Sequence, residues 1–178
     1  MKRRSAIRDM VIIAGGITLI PSCISHSGKV SVALRNIHIN AYQEKLLAAI
    51  ASTIIPKTDT PGAGETGAHL FVLKMVDDCY EKDVQQKFLQ GLDQLEKITK
   101  KNFGNLFAAC SDEQKQQVLN RVENNGDYPP EVFDFYKIMK EKTIEGYLTS
   151  KYVLVNLQKY ELIPSVKYNG YYPLQNTK

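Results

Sequence analysis

Gly62-Ala63-Gly64-Glu65-Thr66-Gly67 has the G-x-G-x-x-G spacing with which a tight turn brings backbone amides against a dinucleotide pyrophosphate. That chemistry needs a strand before the turn, a helix after it, and an acidic residue closing a second strand about 20 residues on. Here Pro56 and Pro61 flank the preceding residues, and proline has no N–H to give to a central strand. The residues after Gly67 repeat at helical spacing, so no second strand follows. The motif reads as a helix connector. Amides at the start of the following helix remain able to receive an anion or a partner's carboxylate.

The other reactive side chains assemble no better. His69 precedes Asp77 by eight residues, which on a helix leaves the two about 80° apart. The chain's three histidines are dispersed, and neither H-x-x-x-H nor H-E-x-x-H occurs. His69 is expected at a helix start or an interface, Asp77 and Asp78 at a solvated edge or in salt bridges to a partner. Ser111 and Ser150 lack the strand–turn–helix elbow of a hydrolase nucleophile. Cys79 and Cys110 can pair in an oxidising compartment or stay free in their apolar surroundings. No C-x-x-C occurs, so a haem c attachment is excluded. The residues predict no catalytic, cofactor-binding or metal-binding site in this chain.

The elements that hold these residues are all helical. Leu46, Leu47, Ile50 and Ile54 recur on one face of a helix over 41–54, with Asn40 and Gln43 as a capping box and Pro56 as the stop. Phe71, Val72, Met75, Val76 and Cys79 mark a second helix over 67–80. The Pro/Gly loop between them is longer than most helix–helix connections, which points to a function for it. Val84, Phe88, Leu92 and Leu95 give a third helix from Asp83 to Thr99, which Gly91 weakens by ~1 kcal/mol relative to alanine. Ser111 with Gln114 caps a fourth helix bearing Val118, Leu119 and Val122. Pro130 opens a fifth, over 130–149, whose inner stripe is Phe133, Tyr136, Met139, Lys140, Thr143, Ile144 and Tyr147. Residues 152–157 read as irregular or as a short helical turn, and a tyrosine-rich coil ends the chain. The expected fold is all-α, an irregular bundle of five or six helices with a long Pro/Gly loop and a coil C-terminal tail.

The 178 residues suffice for one domain, and 43% apolar with 24% charged is ordinary globular composition. The net charge of +4 is concentrated at the start, where Lys2, Arg3, Arg4 and Arg8 face only Asp9. The rest is nearly balanced, so there is no electrostatic footprint for nucleic acid. Met10 to Ile20 is too short and too weakly apolar for a membrane span. Arg3 and Arg4 within Arg3-Arg4-Ser5-Ala6-Ile7-Arg8 approximate a twin-arginine export signal. Ile20-Pro21-Ser22-Cys23 resembles a lipoprotein box with lipidation at Cys23. The alternative is an ordinary secretory signal with a coincidental arginine pair. Residues 1–23 are thus read as an export signal, 24–40 as a tether with a short ordered piece around Val32–Ile39, and 41–178 as the helical domain.

Ala49 to Ala63 (AIASTIIPKTDTPGA), Gly67 to Tyr80 (GAHLFVLKMVDDCY), the helix end Lys142–Ser150 and the tail Tyr168–Leu174 together resemble the gluconate 2-dehydrogenase subunit 3 family. The resemblance implies a non-catalytic accessory subunit of a periplasmic, membrane-associated dehydrogenase. Its partner would be an FAD-dependent large subunit of the glucose-methanol-choline type oxidising a sugar or sugar acid, often joined by a cytochrome c subunit carrying haem c. It further implies that the small subunit escorts its folded partner through twin-arginine export. On that resemblance, partner contacts are expected at Pro56, Asp59, Pro61, Gly62, His69, Gly146, Tyr147, Tyr168, Tyr171, Tyr172 and Pro173. The aromatic tail suits an arm packed on its own domain equally well. A different reading is a stand-alone exported helical lipoprotein that binds a small ligand in its core.

Overall fold

The computed structural model describes residues 30–124 and 128–160; the export signal, Cys23 and the tail tyrosines lie outside the described residues. Five α-helices occur there: α1 (Ala41–Ile54), α2 (Ala68–Cys79), α3 (Lys82–Phe103), α4 (Asp112–Glu123) and α5 (Pro130–Leu148). A 3-10 turn at Phe107–Ala109 joins α3 to α4, and a π-helical turn at Tyr152–Leu157 follows α5. No strand is present among the described residues. The all-α bundle is as expected.

Local chemistry sets most boundaries. Asn40 and Gln43 close a reciprocal capping box on α1, and Ser111 with Gln114 does the same on α4. Ile55 turns to extended backbone before Pro56 and ends α1. α3 runs one turn past Thr99, because Lys100 and Lys101 favour the negative end of the helix dipole and Gly104 closes it in left-handed conformation.

α5 is the central element and touches each of the other four α-helices, most extensively α3 and then α2. Phe88 and Phe135 meet where α3 and α5 cross, with ring centroids 4.8 Å apart and tilted by 58°. Leu46, Leu47 and Ile50 of α1, Val72, Leu73 and Val76 of α2, and Val118 and Val122 of α4 complete one core. The buried stripe of α5 is Val132, Phe135, Tyr136, Met139, Thr143 and Gly146. The expected stripe was therefore rotated: Phe133 is half-buried and Ile144 is 39% exposed. A helix contacted from several sides carries apolar residues on several faces, so its periodicity does not fix the phase.

The ordered piece around Val32–Ile39 is docked on the core. Ile37 is buried, and Val32, Leu34 and Ile39 pack against the helices. Two carboxylates hold this strap. Glu44 accepts from the Ser31 N–H at 2.7 Å, and Asp77 accepts from the Arg35, Asn36 and Ile37 N–H groups at 2.8, 2.7 and 2.9 Å. The packed body thus begins ahead of α1.

Candidate partner interface

The connector between α1 and α2 uses its glycines for close backbone packing. A Cβ at Gly62 would lie 2.8 Å from the Lys57 nitrogen and 2.9 Å from the Ile55 carbonyl oxygen. One at Gly64 would collide with Ser52 Oγ on α1. Four of the motif's six amides, those of Gly62, Ala63, Thr66 and Gly67, donate within the chain. Ala63 N–H donates to Ile55 O at 2.9 Å, Thr66 N–H to Gly62 O at 3.1 Å, and Ala68 N–H to Ala63 O at 3.0 Å. Gly62 N–H reaches Glu65 Oε2 at 3.3 Å, while Glu65 Oε1 pairs with Lys57 Nζ at 2.7 Å. The hydrogen bond from Lys57 holds the Glu65 carboxyl below its ordinary pKa. With most of its donors taken up and the Glu65 carboxylate folded over the Gly62 amide, the turn is built as a folded knob, unlike a phosphate cradle.

The far end of α5 meets this knob. Tyr147 donates its hydroxyl to Pro61 O at 3.1 Å and lies 3.4 Å from Thr60 Oγ1. One residue earlier, Gly146 sits against the Phe71 ring of α2, where a Cβ would come within 2.9 Å. Pro56, Lys57, Thr58 and Asp59 are exposed on the knob, and Leu148, the residue after Tyr147, is 51% exposed. Val155, Leu157 and Tyr160 of the following segment are each at least 50% exposed. Loop and helix end, distant in sequence, form one surface. Tyr147→Phe keeps the ring and removes the tie, so a loss of about 1 kcal/mol is expected by urea denaturation, with faster hydrogen exchange at Ala63 and Thr66.

Several expected contacts are corrected. Gly62 and Gly146 are buried and position the surface without lining it. His69 is only 9% exposed, and its Nδ1 has no hydrogen-bond partner among the described residues, so it is an internal group rather than a partner-facing one. Burial depresses its pKa, against a smaller opposing pull from the Glu44 charge. A base depressed in the folded state stabilises the fold above its ordinary pKa near 6.5, and that contribution is lost as pH falls through the depressed value. Unfolding free energy is therefore expected to fall below pH 6.5, and His69→Gln to flatten that part of the profile. Asp77 is likewise no solvated edge, whereas Asp78 is exposed and pairs with Lys74 at 2.8 Å. Cys79 is exposed, Cys110 is buried, and both are free thiols.

Sequence reasoning missed the exposed apolar run after α5. Its signal was the ambiguous 152–157 stretch, β-branched enough for a strand yet without a partner strand. Among the described residues no group of three or more His, Cys, Asp or Glu side chains is placed to hold a metal. No described helix is long and apolar enough to cross a membrane. Grooves of about 530, 350 and 390 Å³ open at the surface.

The family model for gluconate 2-dehydrogenase subunit 3 matches residues 41–164, from the first residue of α1 past the π turn. The chain belongs to the gluconate 2-dehydrogenase subunit 3 family. Knob, helix end and exposed apolar run all lie within the matched span. Membership assigns this chain as an accessory subunit of a dehydrogenase complex, with a dehydrogenase as partner. Neither a curated protein nor a solved structure matches the chain.

Proposed function

We propose that this subunit is non-catalytic and binds an FAD-dependent dehydrogenase of the glucose-methanol-choline type that acts on a sugar or sugar acid. It escorts that partner through twin-arginine export by means of Arg3 and Arg4, and a lipid on Cys23 holds the pair at the periplasmic face of the membrane. FAD resides in the partner, and haem c in a third subunit where one is present. The observations that carry the reading are the Pro56–Pro61 knob, tied to the end of α5 by Tyr147, and the exposed apolar side chains Leu148, Val155, Leu157 and Tyr160 that follow that end in the chain. Exposed apolar side chains gathered at one end of a helix, together with exposed polar residues such as Lys57 and Asp59 on the knob, suit a protein interaction site.

The test is a pull-down of the tagged chain from its native membrane, followed by an absorbance scan. A co-eluting protein with flavin bands supports the reading, as does its loss when Arg3 and Arg4 are both changed to lysine. Asp59→Lys and Leu148→Asp alter exposed positions, so they should weaken co-elution while leaving the circular dichroism unchanged. A lone colourless chain would favour the ligand-binding lipoprotein instead.

A further inference from the structure

The strap ahead of α1 limits how far the body can stand from an anchor at Cys23. Glu44 accepts from the Ser31 N–H and Asp77 from three further strap amides, so the chain is fastened to the body from Ser31 onward. Ser31 lies eight residues after Cys23, a length of chain that spans no more than about 28 Å in any conformation. We propose that the end of the body at the first turn of α1 seats on the membrane, with Lys45, Lys97, Lys100 and Lys101 against anionic phospholipid headgroups. This seating presupposes the lipid at Cys23; what is new is which face meets the bilayer and which is held away from it.

Three observations support this seat. The first is a junction. The first turn of α1 receives both the strap and α3: Ser31 N–H meets Glu44, Gln43 Nε2 donates to Asp93 Oδ1 at 3.1 Å, and the Tyr42 hydroxyl donates to the buried Glu96. The fastened end of the strap therefore lies at the same turn of α1 as the C-terminal half of α3. The second is charge. Lys97 and Lys101 follow Asp93 by one and two turns, and Lys100 follows Glu96 by one, so α3 carries all three onward from that junction. With Lys45 of α1 and Arg35 of the strap they are exposed, and none of these five side chains is in an ion pair among the described residues. The exposed acids on the same stretches of α3 and α4 are Asp93, Asp112 and Glu113, of which Asp93 is engaged by Gln43 and Asp112 by Lys115. A cationic excess held close to a bilayer meets the negative potential of anionic headgroups, which acts within about a Debye length. The third is the opposite end. Pro56 opens the knob beyond the last turn of α1, about 20 Å along that helix from the first. The exposed Asp59 carboxylate there is repelled by the surface that attracts the lysines. The seat thus leaves the knob, and the dehydrogenase on it, facing away from the bilayer.

Energy transfer to the membrane surface tests this. The lipidated chain, purified from its native membrane, is reconstituted into vesicles of equimolar phosphatidylglycerol and phosphatidylcholine that carry an acceptor dye on a headgroup. In a Cys79→Ser background, which removes the exposed thiol, a donor dye is attached through His38→Cys on the strap or Asp59→Cys on the knob, both exposed positions. Transfer is expected to be larger from position 38, and that excess should be lost in about 1 M salt, where the Debye length is about 3 Å. It should likewise be lost in vesicles of phosphatidylcholine alone, and in the combined variant Lys97→Gln, Lys100→Gln and Lys101→Gln. The salt and lipid series keep every lysine, so they decide the matter even if the combined variant folds poorly. Equal transfer from the two positions, larger transfer from position 59, or an excess indifferent to salt and lipid charge overturns the seat. A chain that fails to float with the vesicles overturns it as well, by removing the lipid anchor, and flotation alone tells that failure from the others.

Discussion

Gly91→Ala is expected to lower the unfolding free energy by about 1–3 kcal/mol, although helix propensity alone favours alanine by about 1 kcal/mol. Gly91 is where α3 passes closest to α5. A Cβ there would overlap the Glu131 carbonyl oxygen and the Phe135 Cβ, with the Glu131 carbonyl carbon at 3.1 Å. None of these is the tip of a flexible side chain that can rotate aside, so the helices themselves must part. Parting them loosens the Phe88–Phe135 contact at the same crossing and opens the most extensive helix pair in the bundle. Overpacking against backbone therefore outweighs propensity. Urea denaturation of the two proteins side by side decides the sign. A raised midpoint for Gly91→Ala would mean that the crossing is looser than the structure has it.

Gly91 also marks the limit of what the sequence makes legible. Features set by neighbours in the chain were readable: both capping boxes, the stop before Pro56, the start at Pro130, and the helical period throughout. Features set by distant residues were not. Gly91 looks like a weak point until α5 lies across it. Asp77 looks solvated, because the amides that it caps lie 40 to 42 positions earlier in a segment with little periodicity of its own. Glu96 is similar: buried, it accepts from the Phe107 N–H at 2.9 Å and from the Tyr42 hydroxyl, and burial raises its carboxyl pKa. At the candidate interface, family resemblance picked out both the loop and the end of α5. Their junction through Tyr147 and Pro61, 86 residues apart, needed the fold. The burial of His69, Gly62 and Gly146 needed it too, since short-range pattern does not distinguish a residue that shapes a surface from one that lines it.

Asp77→Asn should cost about 2–4 kcal/mol, the range for hydrogen bonds to a charged acceptor plus a buried donor left unmatched. The carboxylate is 1% exposed. Its Oδ1 takes the Asn36 and Ile37 amides and its Oδ2 the Arg35 amide, so all three bonds need oxygens. Asparagine replaces one oxygen with an NH₂ group that faces an N–H, and no rotation of the amide satisfies all three donors. The strap would then be held to the C-terminal end of α2 only by the Asn36 side-chain amide, which donates to Asp77 O at 2.7 Å, and Ile37 would be loosened from the core. That end keeps its second clasp, the Gln85 side-chain amide donating to the carbonyls of Val76, Asp77 and Tyr80 at 3.0–3.1 Å, so α2 itself should persist. Burial works to raise the Asp77 pKa, but the three amides and the Lys74 charge together hold it below its ordinary 3.8. A carboxyl depressed in the folded state stabilises the fold above its ordinary pKa, and that contribution is lost as pH falls through the depressed value. The native chain should therefore lose stability below about pH 4, and Asp77→Asn should lack that acid limb. Hydrogen exchange at Arg35, Asn36 and Ile37 locates the effect. Faster exchange confined to the strap matches a clasp released from an intact helix, whereas equal acceleration across α2 would show that Asp77 holds the whole corner of the bundle.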